Sequence, residues 1–329
     1  MTSHISSPAF DPELAAALEA APAGPTTITP EMIGMIRPYM AADPAAVIGD
    51  RPIELVDRTV PGRDGAPDVT LSILRRTDHV PGGGAIYFVH GGGLILGDRF
   101  FGIAPVLDWI ETFDVVFVTP EYRLAPDERY PAALDDVSAG LAWTAAHAEE
   151  LGFDAARLVL AGASAGGGLA AAAALRARDE GGPALAGQLL IYPMLDDRND
   201  TVSSYQYEGY GRWDRGSNDT GWDAYLGELR RSPDLPAYAA PARATDLSGL
   251  PPTYLEVGSA EVFRDEDVAY ATQLWSDGGD CELHVWPGGY HAFDLHVPAA
   301  KLTASMVSAR RDWLKRKIGL TAATQNGES

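Results

Sequence analysis

Residues Leu158 to Gly168 read Leu-Val-Leu-Ala-Gly-Ala-Ser-Ala-Gly-Gly-Gly, and no other stretch limits the possible folds of this chain as strongly. The apolar opening, Leu158 to Ala161, has the composition of a buried strand. The alanine-rich run Leu169–Leu175 has that of a helix, and a single serine stands at the corner between them. The centre fits Gly-x-Ser-x-Gly, a turn in which the backbone doubles back so sharply that the flanking positions must be small. Gly162 and Gly166 supply that room, and Ala163 and Ala165 add almost no bulk. A pattern with three fixed positions recurs by chance, so the strand before it and the helix after it carry the weight of the reading.

The same alternation of short apolar strands and helices extends along the chain. Ile53–Val60 and Val69–Arg76 read as strands joined by the turn-rich Pro61-Gly62-Arg63-Asp64-Gly65, a hairpin pattern. The run Ala85-Ile86-Tyr87-Phe88-Val89 is apolar at every position, as a strand buried on both faces must be. Val115–Thr119, Gln188–Tyr192, Thr253–Val257 and Glu282–Trp286 add further strands. Helices are predicted over Pro131–Glu150, Asp265–Asp277 and Ala299–Lys315, and near the start over Pro12–Ala20 and Pro30–Met40. In the last of these Met32, Ile33, Ile36, Tyr39 and Met40 recur at helical spacing, so that face is expected to be buried. Two strands in a hairpin and six alternating with helices predict an α/β fold, an eight-stranded, mostly parallel sheet covered on both faces. The rhythm breaks between Pro193 and Leu247, where Tyr205, Tyr207, Tyr210, Trp213, Trp222 and Tyr225 lie in a polar, aromatic insertion. An insertion over a sheet edge fits that composition.

Composition narrows the function classes. A formal charge of −21 opposes nonspecific attraction to nucleic acid or anionic membrane. No apolar run approaches the roughly 18 residues of a membrane span, and Met1–Asp11 lacks a basic patch followed by an apolar core. A cytoplasmic protein is the expectation. The only cysteine, Cys281, permits no internal disulfide and no metal-binding cysteine cluster.

A serine at such a corner suits nucleophilic attack on an acyl carbon, which needs a base, a carboxyl group to orient the base, and donors for the negative oxygen that forms. The expected chain order for this kind of sheet is nucleophile, carboxylate, histidine. Ser164 takes the first place. Of seven histidines, His291 is the candidate base, because it sits in the glycine-rich loop Pro287-Gly288-Gly289-Tyr290-His291 just beyond the last strand, where ligands gather in such sheets. His4 falls near the terminus, His79 in a loop before a strand, His147 near a helix end, His284 inside a strand and His296 too late. His90 belongs to His90-Gly91-Gly92-Gly93, where it is expected to order the loop; the three glycines let backbone N–H groups turn toward a bound group, and this sequence is that of an oxyanion-hole loop. The carboxylate should leave the strand Thr253–Val257, and Glu261, in the loop itself, is favoured over Asp265, which is placed to cap the next helix.

These motifs resemble those of the hormone-sensitive-lipase-like branch of α/β-hydrolase esterases, the bacterial carboxylesterases. The likeness runs from His90-Gly91-Gly92-Gly93 through Tyr122-Arg123-Leu124-Ala125-Pro126 and Gly162-Ala163-Ser164-Ala165-Gly166 to Arg264-Asp265-Glu266 and His291-Ala292-Phe293. It implies a serine esterase of short- to medium-chain acyl esters, with no metal and no cofactor, and oxyanion donors at the backbone N–H groups of Gly91, Gly92 and Ala165. It also implies a helical cap built from residues 1–50 and the insertion 193–247, over a core formed by 51–192 and 248–319, with 320–329 as a flexible tail. Leu94, Tyr205 and Trp213 are the candidate substrate-binding side chains. Many members carry Asp-Pro-Leu where this chain has Glu261-Val262-Phe263, so Glu261 inherits the acid role by position. The same triad would serve lactone, amide or carbonate cleavage or acyl transfer. A catalytically silent binding protein on this scaffold would be expected to lack a triad member. The expected partner is a small ester substrate, with a homodimer possible through an edge strand or the last helix.

Overall fold

The structure is a computed structural model that describes residues 5–21 and 24–319; His4 and the tail at 320–329 lie outside the described residues. The chain opens with α1 (Pro12–Ala20), α2 (Ile33–Met40) and α3 (Pro44–Ile48). The hairpin β1 (Ile53–Val60) and β2 (Val69–Arg76) follows, then β3 (Gly83–Val89), α4 (Asp108–Phe113) and β4 (Val116–Glu121). Next come α5 (Ala132–Ala146), α6 (Ala148–Leu151), β5 (Phe153–Ala163), α7 (Ala165–Glu180) and β6 (Gly187–Ile191). The insertion carries α8 (Val202–Gln206) and α9 (Arg215–Leu226) and, among the described residues, no strand. The chain then continues with β7 (Thr253–Gly258), α10 (Arg264–Ser276), β8 (Cys281–Trp286), α11 (Phe293–His296) and α12 (Lys301–Ile318).

One sheet holds all eight strands in the order β1-β2-β4-β3-β5-β6-β7-β8. β2 runs antiparallel to both β1 and β4, and every pairing from β4 to β8 is parallel. This is the α/β sheet that the alternation of strands and helices predicts. β3 is buried along its whole length because β4 and β5 flank it and helices cover its faces, which is why its sequence has no polar alternation. β3 and β5 lie side by side with Val89 opposite Gly162, so the two loops that leave their C-terminal ends, after Val89 and at Ser164, emerge together.

Several details differ from the sequence reading. The face expected to be buried in the second helix is only partly so: Ile33 is buried, Ile36 and Met40 pack against the core, but Tyr39 is 88% exposed. A first 3₁₀ turn at Pro30–Met32 and Pro38 inside the helix rotate that stripe, so spacing alone misplaces its last turn. The single helix expected over Pro131–Glu150 breaks at His147, whose Nδ1 donates to the Trp143 carbonyl at 2.8 Å while its ring stacks on Trp143. β5 begins five residues before its apolar run, because Phe153 already pairs with Gly83. Among the described residues no helix is long and apolar enough to cross a membrane.

Candidate active site

Ser164 occupies the corner between β5 and α7 with φ 56° and ψ −124°, a conformation that L-residues rarely adopt. The neighbouring glycines make it possible. A Cβ on Gly162 would lie 2.2 Å from the Gly166 carbonyl oxygen, and one on Gly166 would lie 2.1 Å from that of Val89. Any larger residue at either position forces the corner open. The N-terminal turn of α7 begins directly behind the serine, so its amide groups and dipole face the site.

His291 reaches the serine from the loop after β8, with Nε2 3.0 Å from Ser164 Oγ. Its Nδ1 lies 2.6 Å from Glu261 Oε2, and the second carboxylate oxygen, Oε1, accepts from the Gly258 amide at 2.7 Å. A carboxylate can only accept, so Nδ1 carries the hydrogen and Nε2 is left to accept from the hydroxyl. All three side chains are buried, at 7%, 2% and 6% exposed for Ser164, Glu261 and His291. The rings of Tyr192 and Phe263 stand edge-on to the imidazole at 4.8 and 5.0 Å and fix its plane. Asp265, the rival carboxylate, is engaged elsewhere: Oδ2 accepts from the Ser203 amide and Oδ1 from Arg264 Nε, both at 2.8 Å, tying α10 to α8.

The glycine loop abuts the nucleophile. A Cβ on Gly91 would lie 3.2 Å from Ser164 Cβ, and Gly92 and Gly93 have φ of +118° and +62°. Among the described residues, the amides of Gly91, Gly92 and Ala165 donate no hydrogen bond to the loop backbone or to a side chain. His90 pins the loop from beneath. Its Nδ1 donates to the Gly91 carbonyl at 2.7 Å, its ring stacks on Tyr122 at 4.2 Å, and the Tyr122 hydroxyl donates to the His90 carbonyl at 2.9 Å. Burial holds this imidazole neutral, its pKa lowered to about 4.

A narrow cleft opens beside Leu94 and Ala165 and runs between α7 and α9, with Met194, Trp222 and Tyr225 in its walls. Leu94 is one of the residues that line it. Trp213 packs its indole over Gly93, so closely that a Cβ there would meet the ring at 2.2 Å. Tyr205 does not line this cleft; it is 44% exposed, with the Arg215 guanidinium 4.4 Å above its ring. α8 is a single short turn anchored through Ser203, and that anchoring directs Tyr205 outward.

Sequence reasoning missed Trp222 and Tyr225 as cleft residues and also missed the support behind His291. Tyr192 donates to Asp294 Oδ1 at 2.9 Å, Asp294 Oδ2 accepts from Arg310 Nη1 at 2.9 Å, and Arg310 also pairs with Glu256. Arg310 sits between Met306 and Leu314 on the buried stripe of α12, an interruption of an apolar face that the sequence does display. Among the described residues, no group of three or more His, Cys, Asp or Glu side chains is arranged to hold a metal ion.

The family profile described as alpha/beta hydrolase fold matches residues 86–295, which contain the serine, the carboxylate and the imidazole. Carboxylesterase NlhH of Mycobacterium tuberculosis is 34% identical over 304 residues, covering 90% of this chain and 93% of its own. A solved bacterial heroin esterase matches with a TM-score of 0.85 at 35% identity, covering 94% of this chain and 98% of its own. Esterase LipW from Mycobacterium marinum matches with a TM-score of 0.84 at 30% identity, covering 96% of this chain and 100% of its own. The shared sheet, the serine corner and the extent of these matches lead to one assignment: the chain belongs to the α/β-hydrolase family, in its hormone-sensitive-lipase-like branch.

Proposed function

We propose that the protein is a serine carboxylic ester hydrolase that cleaves short- to medium-chain acyl esters through an acyl-enzyme. One observation carries the reading: an unbroken relay of 3.0 and 2.6 Å from Ser164 through His291 to Glu261. In this mechanism Ser164 Oγ attacks the acyl carbon as His291 Nε2 takes the hydroxyl proton. Glu261 holds the imidazole tautomer and balances the positive charge that develops on the ring. The amides of Gly91, Gly92 and Ala165 receive the oxyanion, each donor contributing roughly 3 kcal/mol. His291 then returns its proton to the leaving alcohol, and water repeats the sequence on the acyl-enzyme.

The names of relatives such as the M. tuberculosis carboxylesterase support ester cleavage in particular. The N-terminal helices and the insertion act together as a cap in this reading. Contacts that join them support it: Thr27 Oγ1 donates to Asp214 Oδ2 at 2.6 Å, and the Ile28 amide donates to Ser217 Oγ at 2.8 Å. We place the enzyme in the cytoplasm, where its single buried thiol is kept reduced. A homodimer joined along β8 or α12 completes the proposal.

Replacing Ser164 by alanine tests the core of it. Hydrolysis of p-nitrophenyl butyrate should vanish while the circular dichroism spectrum and melting temperature stay at wild-type values. Retained turnover would remove Ser164 from the mechanism.

A further inference from the structure

Beyond Gly91 the glycine loop passes through three successive positive φ angles, +118° at Gly92, +62° at Gly93 and +67° at Leu94. Leu94 carries a Cβ, so its angle is strained, and a strained residue keeps such a shape only where its surroundings hold it. The amides of Ile95 and Leu96 donate to the Gly92 carbonyl at 3.1 and 2.9 Å, which closes a tight turn. The Ala125 amide, from the segment after β4, donates to the Leu94 carbonyl at 3.0 Å and braces that turn. His90 grips only the Gly91 carbonyl, at the other end of the loop.

A further hold comes from α2. Arg37, 58 positions before Ile95 in the chain, donates from Nε to the Ile95 carbonyl at 2.8 Å, from Nη2 to the Ala125 carbonyl and from Nη1 to Asp127. One planar fork therefore ties the turn to the segment that braces it. Ile95 is gripped at both ends, its amide on Gly92 and its carbonyl on Arg37, so a shift of α2 reaches Gly92 through a single residue. Past the end of the helix the Ala42 amide donates to Asp98 Oδ2 at 2.8 Å, a second anchor on the same stretch. Asp127 is exposed, and an exposed ion pair holds a helix weakly, so that pair alone does not account for a guanidinium laid against two carbonyls.

We infer that Arg37 is a positioning residue for the oxyanion hole: through Ile95 and Ala125 it holds the turn that aims the Gly91 and Gly92 amides at the reacting carbonyl oxygen. The inference rests on the esterase reading and its oxyanion donors. Arg37→Ala should lower kcat for p-nitrophenyl butyrate about 10–100-fold, because a displacement of about 1 Å costs on the order of 10²-fold, while KM stays within about twofold. A trifluoromethyl ketone reads the oxyanion directly. Ser164 Oγ adds to its carbonyl carbon, the hydroxyl proton passes to His291, and the oxyanion persists because no group leaves. Its inhibition constant should rise in step with the fall in kcat. The acid limb of kcat against pH should stay in place, since Ser164, His291 and Glu261 keep their contacts. Arg37→Lys keeps the charge without the fork and should fall between wild type and Arg37→Ala; it carries the test if the alanine variant does not fold. In the variant that carries the test, a kcat within about threefold of wild type overturns the inference. So does an effect confined to KM, a loss that leaves ketone binding unchanged, or a shifted acid limb, and the esterase reading survives each of these. A wild type that cleaves no p-nitrophenyl ester overturns that reading, and this inference with it.

Discussion

Glu261 and Asp265 are four residues apart, yet only Glu261 meets His291, because Asp265 is held by Ser203 and Arg264. Glu261→Gln keeps the shape but removes the carboxylate that fixes the imidazole tautomer, so kcat should fall about 10³–10⁴-fold. Asp265→Asn loosens α8 and should cost kcat less than about tenfold; steady-state kinetics on one ester ranks the two, and the opposite ranking reassigns the acid. His90 makes a different prediction. In the unfolded chain an imidazole takes up its proton near pH 6.5, whereas His90 in place resists it down to about pH 4. Between those values the unfolded state binds the extra proton. Stability contributed by neutral His90 is therefore complete above pH 6.5 and is lost as pH falls toward 4, about 3 kcal/mol across the window. His90→Asn, which keeps a donor for the Gly91 carbonyl, should flatten that fall in urea unfolding between pH 6.5 and 4. Ser164 and His291 were legible in the sequence because their neighbours restrict the backbone to one path. The outward turn of Tyr205 was not, since spacing on a one-turn helix does not fix which way a side chain points.

The central strands β3, β6 and β7 could be read from their apolar runs, because a strand buried on both faces leaves no other pattern, whereas β1, largely exposed, was legible only through the hairpin turn that follows it. α3 and α11 span five and four residues, too few for a helical period to register. The helix that contributes most behind the site, α12, was foreseen as an element but not for its buried cation. Arg310 is 2% exposed and joins Glu256 of β7 to Asp294 of α11, which in turn accepts from Tyr192 beside His291. Burying three charged groups is tolerable only while each has its partner. Arg310→Met would leave two carboxylates without their cation, at a cost of about 3–5 kcal/mol. Adding Glu256→Gln to Arg310→Met should recover part of that loss, since a neutral amide is cheaper to bury than an unpaired carboxylate. The shift in the urea midpoint of the single and double variants measures both effects, and a single variant as stable as wild type would show that the triad loop stands without this network.

Contacts between distant parts of the chain were the least legible feature, as the bonds from Thr27 and Ile28 to Asp214 and Ser217 illustrate: each bridges nearly 190 positions, and neither end carries a recognisable pattern. Charge, by contrast, is fully readable. Acidic residues number 46 against 25 lysines and arginines, and many of the arginines are already paired with carboxylates, so acids exceed the lysines and arginines able to balance them by 21. A globule of this length has a radius of gyration of about 20 Å. The Debye length is about 30 Å at 0.01 M salt and about 10 Å at 0.1 M, so at the lower value every surplus charge repels every other, and at the higher only near neighbours interact. Salt also weakens the exposed ion pairs, but each of those contributes only about 0–1 kcal/mol, and the opposing surplus is 21 charges. Repulsion should dominate. The melting temperature should therefore rise as sodium chloride increases from about 0.01 to 0.1 M and then level off. A melting temperature that falls over that range would mean that the surface ion pairs, taken as networks, outweigh the repulsion of the surplus.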